Sequence, residues 1–101
     1  MNPIELVSHG PVIPVIVIQR LADAVPLARA LVAGGVRVLE VTLRTPAALA
    51  CIEAIARAVP EAIVGAGTLR SAADARAAKA AGSVFGVSPG YTAAVGAACR
   101  D

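Results

Sequence analysis

Tryptophan is missing from this chain of 101 residues, and the aromatic total is one phenylalanine and one tyrosine. A chain that is 57% hydrophobic with so few aromatics must build an aliphatic core, which suits helices packed on a sheet of branched side chains. Basic runs are missing as well: the net charge of +2 is spread along the chain, so no nucleic-acid partner is expected. No apolar run is long. The longest, Val12 to Ile18, contains Pro14 and falls well short of the roughly 20 residues that span a bilayer. The first residues lack the charged leader, apolar segment and small-residue cleavage site of a signal peptide, so the expectation is a soluble, unexported, cytoplasmic chain with no membrane partner. The two cysteines, Cys51 and Cys99, stand far apart in alanine-rich segments. They fit neither a C-x-x-C metal pair nor a disulfide framework and read as reduced core or interface thiols. No metal or cofactor is expected.

What the sequence does contain is a repeat. Apolar runs begin near Val12, Val36, Ala62 and Val84, about 22 to 26 residues apart, each followed by a helical pattern with Gly or Pro before the next run. After a short helical lead-in ending at Gly10-Pro11, residues 11–18 are rich in β-branched side chains and read as a strand covered on both faces. Asp23 and Pro26 then stand where an N-cap and a first-turn proline belong, with Leu21, Val25, Ala28, Leu31 and Val32 as a buried stripe and Gly34-Gly35 as the stop. A second strand covers residues 36–45. Thr45-Pro46 offers a cap and an N1 proline for the next helix, whose stripe is Leu49, Ile52, Ile55, Ala56 and Val59. Residues 62–68 form a third strand, Ser71 and Asp74 a capping-box variant, and Gly82 a helix end. Residues 83–88 form a fourth strand, and Thr92 caps a last helix from Ala93 to Cys99. Four consecutive βα units predict an α/β fold with a right-handed, all-parallel sheet, either open and doubly wound or part of a closed (β/α)8 barrel. Polar residues at the C-terminal strand ends favour the barrel.

The second strand carries the chemistry. With period-two alternation Val38, Glu40, Thr42 and Arg44 share one face, and Arg37, Leu39, Val41 and Leu43 share the other. Arg44 suits a planar clamp on a substrate carboxylate or phosphate. Glu40, deeper in the strand, can shuttle protons if its surroundings raise its pKa. The structural alternative is a buried ion pair that orders the strand end.

Other candidates are weaker. Gly65-Ala66-Gly67-Thr68 matches neither G-x-G-x-x-G nor the Walker pattern, so its small residues read as room for close approach, with Thr68 as a hydroxyl donor. Lys79, the single lysine, falls near a helix C-terminus, where it complements the macrodipole and is badly placed for Schiff-base chemistry. His9 has no partner at ligand spacing and reads as an exposed turn residue.

The strings Pro11-Val12-Ile13-Pro14-Val15-Ile16, residues 33–45 with Leu39-Glu40-Val41-Thr42-Leu43-Arg44-Thr45, Val64-Gly65-Ala66-Gly67-Thr68 and Ser88-Pro89-Gly90 resemble the 2-keto-3-deoxy-6-phosphogluconate aldolase family, which includes 4-hydroxy-2-oxoglutarate aldolases. The resemblance runs in order from about Gly10 to Gly90 and implies the first four βα units of a (β/α)8 TIM barrel. It implies a class I aldolase that forms a Schiff base and releases pyruvate and an aldehyde from a keto-acid substrate. Glu40 then takes the general acid/base place, Arg44 and Thr68 hold the pyruvate moiety, and Pro89 lines the pocket. A homotrimer is implied too. The family's Schiff-base lysine belongs to a later strand, in a Phe-Lys-Phe-Phe-Pro-like segment with no counterpart here, and Lys79 does not match it. Residues 1–101 are therefore expected to be part of a single domain, the N-terminal half of the barrel, and inactive alone. The alternative is a noncatalytic half-barrel acting in self-association or scaffolding, since an unclosed sheet exposes two edges.

Overall fold

The computed structural model describes residues 2–100. Strands β1 (Val15–Ile16), β2 (Val38–Thr42) and β3 (Ile63–Gly67) form a parallel sheet in chain order. Five helices accompany them among the described residues: α1 (Pro3–Ser8), α2 (Ala24–Ala33), α3 (Ala48–Ala58), α4 (Ala72–Ala81) and α5 (Ala93–Arg100). Helices α2, α3, α4 and α5 pack successively against one another, and α3 lies on β2 and β3. The register sets Val15 opposite Glu40, Glu40 opposite Gly65 and Thr42 opposite Gly67. Leu39 and Val41 of β2 join Cys51, Ile52 and Ile55 of α3 in the main apolar core. Burial of a large aliphatic side chain contributes about 1.5–3 kcal/mol, so the seam under β2 is the main source of cohesion.

Several local signals act as expected. Ser71 Oγ accepts from Asp74 N at 3.1 Å and caps α4, which ends at Gly82 in the left-handed region, φ 112°. Thr92 Oγ1 accepts from Val95 N at 3.1 Å. The residues before Gly10 do form a helix, capped by Asn2, with Pro3 in its first turn.

The first strand is shorter than the sequence pattern predicts. Residues 11–18 yield only β1, and Val15 remains 60% exposed, because β1 is an edge strand on a face that nothing covers among the described residues. The fourth strand is also reduced. Residues 84–87 follow β3 through Val84 N to Val64 O, Ala66 N to Phe85 O and Val87 N to Ala66 O, yet only Ala66 and Gly86 form a bridge. The ladder skips a residue at Thr68: Leu69 N, not Thr68 N, donates to Val87 O at 3.1 Å.

Two predicted caps are spent elsewhere. Asp23 accepts two hydrogen bonds from Arg20 across a 3-10 turn (Leu21–Asp23) and does not cap α2 with its side chain. Thr45 Oγ1 donates to Ile18 O at 2.7 Å, and α3 begins only at Ala48. Leu21 and Leu49, assigned to buried stripes, are exposed. Cys51 is buried in the core, whereas Cys99 is exposed. His9 ends α1 half-buried, not exposed.

Candidate active site

Glu40 sits in the middle of β2 with 8% of its surface exposed. Its backbone is held from both sides: Glu40 N donates to Pro14 O at 3.1 Å, and the strand pairs with β3 on its other edge. All five residues of β2 are buried, on both faces. A carboxylate here loses much of its hydration, and burial pushes the Glu40 carboxyl above the usual carboxylate range, with the charge of Arg44 pulling the other way. No salt bridge within 4.0 Å joins the two among the described residues. The predicted buried ion pair is therefore not what holds this end of the strand.

Arg44 lies just past β2, exposed, and its Nε donates to Thr68 Oγ1 at 3.2 Å. Thr68, half-buried after β3, has φ 60°. A β-branched residue rarely occupies that left-handed conformation, and such strain clusters where side-chain direction matters. Here it turns the hydroxyl toward Arg44, across from the end of β2. Pro89 stands exposed in the turn after residues 84–87, at the same end of the sheet, where Ser88 Oγ bonds the Gly90 backbone. No hydrogen bond connects that turn to Glu40, Arg44 or Thr68 among the described residues. Lys79 lies exposed in the last turn of α4, near the N-terminal ends of the strands.

The sequence reading missed three parts of this site. Thr42 Oγ1 donates to Ile16 O at 3.1 Å and, with Thr45, ties the end of β2 to the chain leaving β1. Phe85 packs its ring over Gly65, directly opposite Glu40 in the register. Gly67 faces the Glu40 side chain. The small residues of β3 had signalled close approach, but not which side chains would approach.

A buried carboxyl in the middle of β2 and an Arg–Thr hydrogen bond just past the C-terminal ends of β2 and β3 lie on the side of a parallel βα sheet where (β/α)8 barrels carry their sites. Comparison with known proteins gives the class a family. The model of the KDPG and KHG aldolase family matches residues 4–101, and the chain belongs to that family. The KHG/KDPG aldolase of Escherichia coli K12 is 58% identical over 88 residues, which is 87% of this chain and 41% of the relative. The 2-dehydro-3-deoxy-phosphogluconate aldolase of Zymomonas mobilis is 58% identical over 97 residues, 95% of this chain and 46% of the relative. Among solved structures, the KDPG aldolase of Legionella pneumophila, with pyruvate captured as a covalent carbinolamine, superposes with a TM-score of 0.94 at 44% identity. That match covers 100% of this chain and 49% of the other. The chain thus spans less than half the length of these relatives and has the fold of the first part of their TIM barrel.

Proposed function

We propose that these residues supply the proton-transfer and carboxylate-binding part of a class I aldolase site, acting on 2-keto-3-deoxy-6-phosphogluconate or 4-hydroxy-2-oxoglutarate. The observation that carries this reading is the buried Glu40, with its raised pKa, next to the Arg44–Thr68 pair. Arg44 and Thr68 hold the carboxylate of the pyruvate portion by charge-assisted hydrogen bonds, and Pro89 forms a wall of the pocket. Glu40 accepts the proton of the substrate C4 hydroxyl as the C3–C4 bond breaks, and returns a proton when the pyruvate enamine is converted back to an iminium. A carboxyl raised above its usual range is better suited to both taking and returning a proton. The amine that forms the Schiff base with the keto carbon comes from a lysine outside these 101 residues, in the remainder of a single barrel domain. Alone, the chain is inactive. Within the complete protein a cytoplasmic homotrimer follows from the family resemblance, and light scattering tests that stoichiometry.

Borohydride reduction in the presence of pyruvate tests the reading. The 101-residue chain should gain no mass, and the same chain continued through the second half of a barrel should gain one reduced pyruvate on a lysine beyond residue 101. A label on Lys79 would sink it.

A second reading, a noncatalytic half-barrel that self-associates, is favoured by the exposed Val15 in β1 and Val17 just after it, and by Val84 and Val87 at the other edge. Sedimentation decides: a well-behaved monomer with protected edge amides counts against it.

A further inference from the structure

Gly65 and Gly67 occupy alternate positions of β3 and face the same side of the sheet as Glu40 and Thr42. Neither belongs to the glycines with positive φ, which are Gly35 and Gly82 among the described residues. Their backbones would accept a side chain, so the reason for glycine lies in the space above them. At Gly65 that space holds the Phe85 ring, whose Cδ1 and Cζ would lie 2.5 Å from an added Cβ. At Gly67 it holds Glu40: an added Cβ would lie 2.8 Å from the carboxyl carbon, 3.0 Å from Cγ, and closer still to Oε2. Glu40 stands opposite Gly65 in the register, yet its carboxyl rests over Gly67, one pleat further toward the Arg44–Thr68 end.

We propose that Gly67 is a positioning residue: its bare Cα is the slot that lays the Glu40 side chain along the sheet, with the carboxyl directed toward Arg44 and Thr68 and the Phe85 ring behind it. The role rests on the reading of Glu40 as the proton-transfer group, but the geometry can be tested without any turnover. A methyl at Gly67 takes the place of the carboxyl. The side chain must then leave the sheet surface, where it is better hydrated.

The test uses the 101-residue chain labelled with 13C-carboxyl glutamate, which has four reporters: Glu5, Glu40, Glu53 and Glu61. In the unaltered chain the Glu40 signal should titrate above the ordinary carboxylate range. In Gly67→Ala the Glu40 signal should move down toward that range. A folded Gly67→Ala chain with an unmoved Glu40 titration overturns the proposal.

A stability cycle provides the second readout. Gly67→Ala should lower the folding constant by about tenfold or more with Glu40 present, as overpacking does, and by less than about threefold in a Glu40→Ala background. If Gly67→Ala unfolds the first chain and not the second, the proposal also stands. Equal losses in both backgrounds, or unfolding of both, show that the glycine serves something other than the carboxyl and overturn it. Neither result depends on pyruvate capture, so failure here and failure of the aldolase reading are separable.

Discussion

Strand β2 and residues 84–87 begin as similar sequences and end as different structures. Both are short valine-bearing runs, led in by glycine or serine and closed by polar residues. β2 has hydrogen-bonded neighbours on both edges and is buried on both faces, whereas residues 84–87 have one neighbour and make a single bridge, leaving Val84 and Val87 exposed. In a parallel sheet a strand's burial is thus a property of its neighbours more than of its own residues. It also bears on the role proposed for Glu40. A carboxyl can be held out of water only on the strand that is enclosed.

Emptying the core under β2 should separate the two segments most. Leu39→Ala removes a fully buried side chain and should destabilise the chain by about 2–5 kcal/mol, read as a lower urea midpoint. A loss no greater than that of a surface residue would mean that β2 is not the organising strand.

The next effect concerns pH. Because burial raises the Glu40 pKa in the folded state, the folded chain binds the proton more tightly than the unfolded chain does. Stability should be highest below the ordinary carboxylate range, fall as pH rises through the window between the unfolded and folded pKa, and level off above it. Glu40→Gln should flatten that decline, and urea midpoints from pH 4 to pH 8 will show whether it does.

Thr68, where the ladder between β3 and residues 84–87 skips, comes third. Thr68→Gly relieves the left-handed backbone and should stabilise the chain by up to about 1 kcal/mol, whereas Thr68→Ala should not. In the complete protein both should weaken pyruvate capture, since the Arg44 hydrogen bond is lost in each. The smallest effect belongs to the poorly enclosed segment. Val87→Ala should change stability by no more than about 0.5 kcal/mol. A larger loss would show that residues 84–87 are enclosed in a way their exposed valines do not indicate.

The parts of the fold that were legible in sequence are those governed by local spacing. The alternation around Glu40, the Ser71 and Thr92 caps and the glycine end of α4 depend on residues within a few positions of one another. Asp23 and Thr45 were misread as caps because each found another partner, and for Thr45 that partner, Ile18 O, is 27 positions back in the chain. The shortened strands were hidden for the same reason: whether an apolar run is covered depends on elements that local periodicity does not report. In the site, Glu40, Arg44 and Thr68 stood out as polar residues in apolar runs. The Phe85 ring over Gly65 left no trace, because a glycine announces room and not its occupant.

The two thiols give this chain its own gauge of how often the core opens. Cys51 is sealed beneath β2, and burial, with a further push from the nearby charge of Asp23, holds its thiol above the usual range, while Cys99 is open to solvent. An alkylating reagent should mark Cys99 at once and Cys51 only during excursions that lift α3 from the sheet. The ratio of singly to doubly marked molecules over time is then a clock, with Cys99 as its zero.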